Sequence, residues 1–313
     1  MIPAIHFASS AKKRTNHTVT GLLLAGLLLL VLLISACGGM DRNKLSVMGT
    51  EELKAYAAQE DKQASAIYAA RLFEEKRDDY GLPLKIAEPL AEEGDSDALY
   101  AMAVSYLKGH GKPKNCLKAL ELLNLSAKSG NQLALYELGK RYDLGDCGEK
   151  DIILAVNYYR QAAQKGLAVA QYNLAVAFSR GDGVPKNDVE AVYWYGKAAE
   201  QNHARALFNL GTRYAAGKGV SKDEILAVAL YHKAAELGLP EAAQTLAGLY
   251  AHGAGTPQNG PEAVRWYTQA ANQGQTGSML ALGRIYQAGA LADKNIPLAI
   301  FWYERAAAAG NAE

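Results

Sequence analysis

Between Gly94 and Gly310 a 36-residue unit is written six times without an insertion or deletion, and this period restricts the fold more than any other feature. One column marks the unit boundaries: Gly94, Gly130, Gly166, Asn202, Gly238, Gly274 and Gly310. Asn202 is the single departure, and Asn is the other residue that tolerates the left-handed backbone ending many helices. A fixed period of this size means stacked supersecondary units, each burying its apolar face against its neighbours.

Within the unit the pattern is helical twice. Leu138-Gly139 with Tyr142 recurs as Leu174-Ala175 with Phe178, Leu210-Gly211 with Tyr214, Leu246-Ala247 with Tyr250 and Leu282-Gly283 with Tyr286. Residues four apart share a helix face, and the small residue between them lets a second helix come close. Helix A is predicted over 96–108 and helix B over 115–129, recurring with the period up to 276–288 and 295–309. Gly109, Gly145, Gly181, Gly217, Gly253 and Gly289 supply the stop of helix A. Asn115, Asp151, Asn187, Asp223, Asn259 and Asn295 supply the N-caps of helix B. Helix B then carries an unvarying alanine column from Ala119 to Ala299 and, toward its end, a bulky pair such as Trp302-Tyr303. Aromatic residues at fixed core-facing columns read as packing, not as a sugar- or cofactor-binding box.

Gly181-x-Gly183-Val184-Pro185-x-Asn187, followed by Ala191-x-x-Trp194-Tyr195-x-x-Ala198-Ala199, resembles the Sel-one-like repeat, a relative of the tetratricopeptide repeat. The resemblance covers residues 95–310. It implies an all-α fold, a right-handed α/α superhelical solenoid of six helix-pair repeats over 95–313. It also implies a non-catalytic role, holding proteins together in periplasmic, secreted or membrane-linked complexes. The first unit departs most, with Leu122-Leu123 for the bulky pair, and the last turn has Leu291 where a second Gly is usual.

Residues 50–94 read as a degenerate N-terminal helical cap. Thr50 is the expected N-cap before Glu51 and Glu52, and a helix over 62–75 turns Ile67, Ala70 and Phe73 inward. Leu84 to Glu93 follows as the second helix of a degenerate repeat, since Ala87 and Ala91 fall in register with later columns.

The first residues form a different region. Lys12, Lys13 and Arg14 precede an apolar run from Gly21 to Ile34. That run is short of the roughly 20 residues a membrane-spanning helix needs and suits a signal peptide. Ile34-Ser35-Ala36-Cys37 resembles the bacterial lipobox. The resemblance implies cleavage after residue 36 and a lipid on Cys37, with an uncleaved membrane anchor as the alternative. Gly38, in a Gram-negative host, points to the outer membrane, so the expected location is a lipid anchor on its periplasmic face. Residues 37–49 then form the lipidated Cys and a polar tether of at most about 40 Å. Lipobox and repeats together resemble the lipoprotein scaffolds of alginate export. An exopolysaccharide-export complex is therefore one expected setting, beside a signalling or virulence adaptor.

Charge and chemistry exclude more than they assign. Lys plus Arg is 33 against 32 for Asp plus Glu, and 30 against 32 without residues 1–36. No basic footprint for nucleic acid remains. His110, His203, His232 and His252 occupy different columns and lack metal-ligand spacing, so neither metal nor cofactor is expected. Ser105-x-x-Lys108 superficially matches a penicillin-recognising nucleophile motif, but its usual partner motifs are missing, and it reads as a solvated helix face. A cell-wall peptide hydrolase would need a nucleophile and base that the sequence does not display, and no small-molecule substrate is expected. Cys116 and Cys147 fall on stacked edges of adjacent units, as a disulfide or as two free thiols.

In tetratricopeptide-like solenoids helix A lines the concave groove. Two of its columns read as solvent-facing, one running Ala101, Glu137, Asn173, Asn209, Thr245, Ala281 and the other Ser105, Arg141, Ala177, Arg213, Leu249, Ile285. Glu137, Arg141, Asn173, Asn209 and Arg213 are the expected contacts for an envelope protein or peptide. Gly310-Asn311-Ala312-Glu313 resembles the opening of another helix A, so the array is expected to continue in a longer chain, with an open end that is itself a docking surface as the alternative.

Overall fold

A computed structural model describes residues 44–45, 48–75 and 79–310. The basic stretch, the apolar run, Cys37 and residues 311–313 lie outside the described residues. Fifteen helices run from Thr50 to Gly310, and no strand occurs among the described residues. The cap comprises α1 (Thr50–Ala57), α2 (Lys62–Glu74) and α3 (Gly81–Glu92). The repeats follow as pairs: α4 (Ser96–Lys108) with α5 (Cys116–Lys128), α6 (Gln132–Leu144) with α7 (Ile152–Gln164), and α8 (Ala168–Arg180) with α9 (Asp188–Glu200). Then come α10 (Ala204–Ala216) with α11 (Glu224–Glu236), α12 (Pro240–His252) with α13 (Gly260–Asn272), and α14 (Thr276–Ala288) with α15 (Ile296–Gly310). Each helix packs on its pair-mate and on the helix that follows, which is the connectivity of an α/α solenoid. No helix among the described residues is long and apolar enough to cross a membrane.

The local chemistry fixes these boundaries. Asn115, Asp151, Asn187, Asp223, Asn259 and Asn295 each accept a backbone N–H from the first turn of the following B helix. The B helices end on left-handed residues at Gly130, Gly166, Asn202, Gly238 and Gly274. At Asn202 (φ 60°) its own N–H reaches Ala199 O at 2.9 Å and the His203 N–H reaches Ala198 O at 3.1 Å, the paired bonds of a Schellman motif. Gly310 departs from its column: it is the last residue of α15.

The core runs the length of the solenoid as alanines of the B helices against leucines of the A helices. Leu138, Leu174, Leu246 and Leu282 are fully buried, as are Ala119, Ala155, Ala191 and Ala263. Alanine costs little conformational entropy in a helix and keeps helix axes close, so a thin repeat can still bury a continuous apolar strip.

At the N-terminal end the structure revises two expectations. Gly49, not Thr50, precedes α1, and its N–H is held by the Glu52 carboxylate at 3.1 Å. The tether is also shorter than expected. Leu45 is 0% exposed and sits with Leu53, Ile67, Tyr68 and Leu72 in the cap core. Helix α2 is buried nearly all round, because it packs against α1 and α3 and also lies directly on α4.

Neighbouring repeats meet through backbone. A Cβ added to Gly183 would lie 2.6 Å from Ile152 O, and one on Gly219 would lie 2.2 Å from Asp188 O. A Cβ on Gly255 would stand 3.0 Å from Glu224 O. The last junction inverts the arrangement, with Gly260 placing its missing Cβ 2.5 Å from the carbonyl of Leu291. The corresponding pair at the first junction is Cys116 and Cys147, which are disulfide-bonded with their Cα atoms 5.3 Å apart. Every one of these junctions therefore carries either a glycine on one side or the disulfide.

Candidate binding groove

The two A-helix columns read as solvent-facing have no fully exposed position: four are buried and the other eight are half-buried. Ala101, Ser105, Ala177 and Ile285 are buried. The period locates a column but leaves undetermined how deep it lies: in the first repeat Ala101 is covered by Ala69, Ala70 and Phe73 of the cap. Ser105 is not on a solvated face: its hydroxyl donates to the His110 carbonyl at 2.6 Å, inside the turn that ends α4.

Glu137 and Arg141 close on one another. Their side chains are 12% and 14% exposed, with Arg141 Nη2 3.0 Å from Glu137 Oε1. Lys140 takes the other side of Glu137 at 2.9 Å, and Asp146 pairs with Arg141 from the turn held by the Cys116–Cys147 disulfide. Arg141 Nε is buried without a hydrogen-bond acceptor. This cluster binds its own members together.

Asn173, Asn209 and Arg213 open onto cavities. Asn173 lines one of about 580 Å³, together with Tyr159, Val176 and Arg180. Asn209 and Arg213 line one of about 260 Å³ with Tyr172, Val176, Ser179, Arg180, Tyr195 and Lys218. A third, of about 180 Å³, is bounded by Tyr172, Arg205, Phe208, Asn209, Leu239 and Glu241. The first two share Val176 and Arg180, and the last two share Tyr172 and Asn209. The three are thus stations of one trough along α8 and α10.

A ladder of aromatic pairs builds the trough wall. Tyr136 meets Tyr159, Tyr172 meets Tyr195 and Phe208 meets Tyr231, with ring centroids 5.8, 6.0 and 5.4 Å apart. The hydroxyls of these tyrosines are where the polar residues go: Asn209 Nδ2 donates to Tyr195 at 3.2 Å, and Tyr231 bonds Thr212 at 3.3 Å. Burial raises the Tyr159 and Tyr195 phenols above their ordinary range, so both remain neutral. Arg213 is held by Asp188 and by the Ser179 hydroxyl. Sequence reasoning missed Tyr172, Arg180, Arg205 and Lys218; the Tyr100, Tyr136, Tyr172, Phe208 column was a signal for Tyr172, and no periodic signal marks the three cations.

The histidines have separate surroundings. His110 stacks on Tyr80 and its Nδ1 lies 2.7 Å from Phe73 O, His203 caps α10, and His232 edges against Trp266. Among the described residues no group of three His, Cys, Asp or Glu side chains converges as a metal site.

The Sel1 repeat model matches residues 96–131, 132–167, 168–203, 204–239, 240–275 and 277–311. A Sel1 repeat protein from Oxalobacter formigenes is 32% identical, with a TM-score of 0.67, over 77% of this chain and 96% of its own. A protective antigen of uropathogenic Escherichia coli strains, displaying an SLR fold, is 29% identical with a TM-score of 0.73 over 84% of this chain. The present chain spans 57% of that antigen's length. No curated protein matches the chain. Sel1-repeat proteins are generally non-enzymatic scaffolds that bind other proteins. With six matched units covering more than half its length in the register read from the period, the chain belongs to the Sel1 repeat family.

Proposed function

We propose that this chain is a non-catalytic scaffold that receives a partner protein in the trough along α8 and α10. The continuous run of three cavities carries this reading, because it offers an elongated, half-polar channel with no enclosed chamber for a small substrate. The half-buried rings of Tyr172 and Phe208 supply contact area at low entropic cost. Asn173, Asn209 and Arg213 contribute as residues that shape the wall and present its polar edge. Glu137 and Arg141 support the neighbouring turn.

The same proposal places the scaffold in the bacterial envelope, anchored by lipid at Cys37 and assembling periplasmic or outer-membrane partners. It is supported by the likeness of Ile34-Ser35-Ala36-Cys37 to a lipobox and by the Cys116–Cys147 disulfide, a bond that persists in oxidising compartments. An export complex for an acidic polysaccharide is one such assembly.

Photo-crosslinking residues placed at Asn173 and Ala216, compared with one at exposed Gln161 on α7, test the trough. The reading predicts crosslinked partners at the first two positions only. Equal yields at Gln161 would remove it. Incorporation of labelled palmitate into the wild type, absent from Cys37→Ser, tests the anchor separately.

A further inference from the structure

The trough carries charge of one sign at its middle, and we infer that this station takes a carboxylate of an acidic peptide segment. The inference rests on the reading of the trough as the partner site. Helices α8 and α10 contain Arg180, Arg205 and Arg213 and not one Asp or Glu, in a chain whose charges nearly cancel. Between them, Arg180, Arg213 and Lys218 converge on the 260 Å³ cavity, and no carboxylate lines it.

The three cations are not equivalent. Arg213 is fixed and compensated by Asp188 at the start of α9. Arg180 and Lys218 are exposed and make no ion pair among the described residues. Two uncompensated cations beside a third held in place raise the local potential, and an incoming carboxylate relieves it.

Register favours a peptide over a small anion. The basic station is bounded by cavities of balanced charge, with Arg205 and Glu241 on one side and Lys150, Arg180, Asp143 and Asp182 on the other. An extended segment with its acid at the centre and apolar or neutral residues on both flanks matches that order. Its flanking side chains lie on Val176 and Phe208.

Selection of a randomised display library of short peptides on the full chain tests this. The expected result is enrichment of Asp and Glu among the selected peptides. Synthetic copies should bind roughly tenfold more weakly to Arg180→Gln with Lys218→Gln. Added salt should weaken them as well. Lys165→Gln with Lys233→Gln, which removes equal charge from exposed positions outside the cavity, should leave binding unchanged. Selected peptides without acids, no binders at all, or full affinity for the trough variant would overturn the inference. So would a polyuronate that competes as well as the peptide at equal carboxylate concentration, since the site would then belong to an anionic polysaccharide. Ala216→Trp separates the two levels. Acid-free peptides that it blocks leave the trough standing and remove only the carboxylate, whereas peptides it does not affect remove the trough as well.

Discussion

Two glycines of one turn show how much a single position decides. Gly217 and Gly219 both have left-handed backbone, with φ of 65° and 76°. A Cβ on Gly217 meets only Lys222, no closer than 3.4 Å, whereas one on Gly219 would stand 2.2 Å from the Asp188 carbonyl of the preceding repeat. Gly217→Ala is expected to cost about 1 kcal/mol from backbone strain alone. Gly219→Ala should cost about 3 kcal/mol, because the repeats must also move apart. Denaturation midpoints order the two variants, and equal losses would mean that the junction is compliant. The disulfide occupies the same structural position at the first junction. Cys116→Ile with Cys147→Gly, which copies the Ile152–Gly183 junction, should therefore retain more stability than Cys116→Ser with Cys147→Ser. Thermal melts of the two double variants check this, and the reverse order would mean that the bond is not a substitute for backbone contact.

At the scale of the element, the caps decide where each helix begins, and α10 has an unusual one. His203 Nδ1 accepts the Ala206 N–H at 3.2 Å while its ring stacks on Tyr172 at 4.7 Å. Burial, and then the charge of Arg205, hold the imidazole below its usual range, so the folded state favours the neutral ring. This stabilisation is complete above the unfolded value of about 6.5 and is lost as pH falls through it toward the lower folded value. Protonation also removes the acceptor that caps α10. The melting temperature should fall more between pH 7 and pH 5.5 in the wild type than in His203→Asn, which caps without titrating. Parallel declines would take His203 out of the account. A second buried cap, Asn131 of α6, donates to Asp97 at 2.9 Å and to the Ser96 carbonyl at 3.1 Å, joining two repeats through the same side chain that starts a helix.

For the whole molecule, stability is a sum of repeats and interfaces, so the ends matter disproportionately. The cap hides the first A helix: Ala101, Met102, Ala103 and Val104 are buried in a cluster with Ala69, Ala70 and Phe73 of α2. Removing residues 44–75 should expose that face. Amides of α4 and α5 should then exchange with solvent much faster, while those of α10 to α13 stay protected, as local opening predicts. Uniform loss of protection would instead indicate a single cooperative unit. The trough belongs to this scale too, since each of its cavities draws residues from at least two repeats.

The period alone determined the repeat count, the A and B helices, the B-helix caps and the left-handed stops. These depend on local backbone preferences and on residue spacing, and both are written in the chain itself. Depth and partnership were decided only by tertiary structure. Ala101 and Ser105 stand in columns that are polar-tolerant in sequence yet are interior, because the cap helix α2 lies directly on α4. Arg141 and Arg213 occupy the same column, but one is closed off by Glu137 and Asp146 while the other borders a cavity. Arg180 and Lys218 stand 38 residues apart and share that cavity. The period that dominates the sequence thus fixed the frame, and the stacking of one unit on the next decided which side chains face water, each other or a partner.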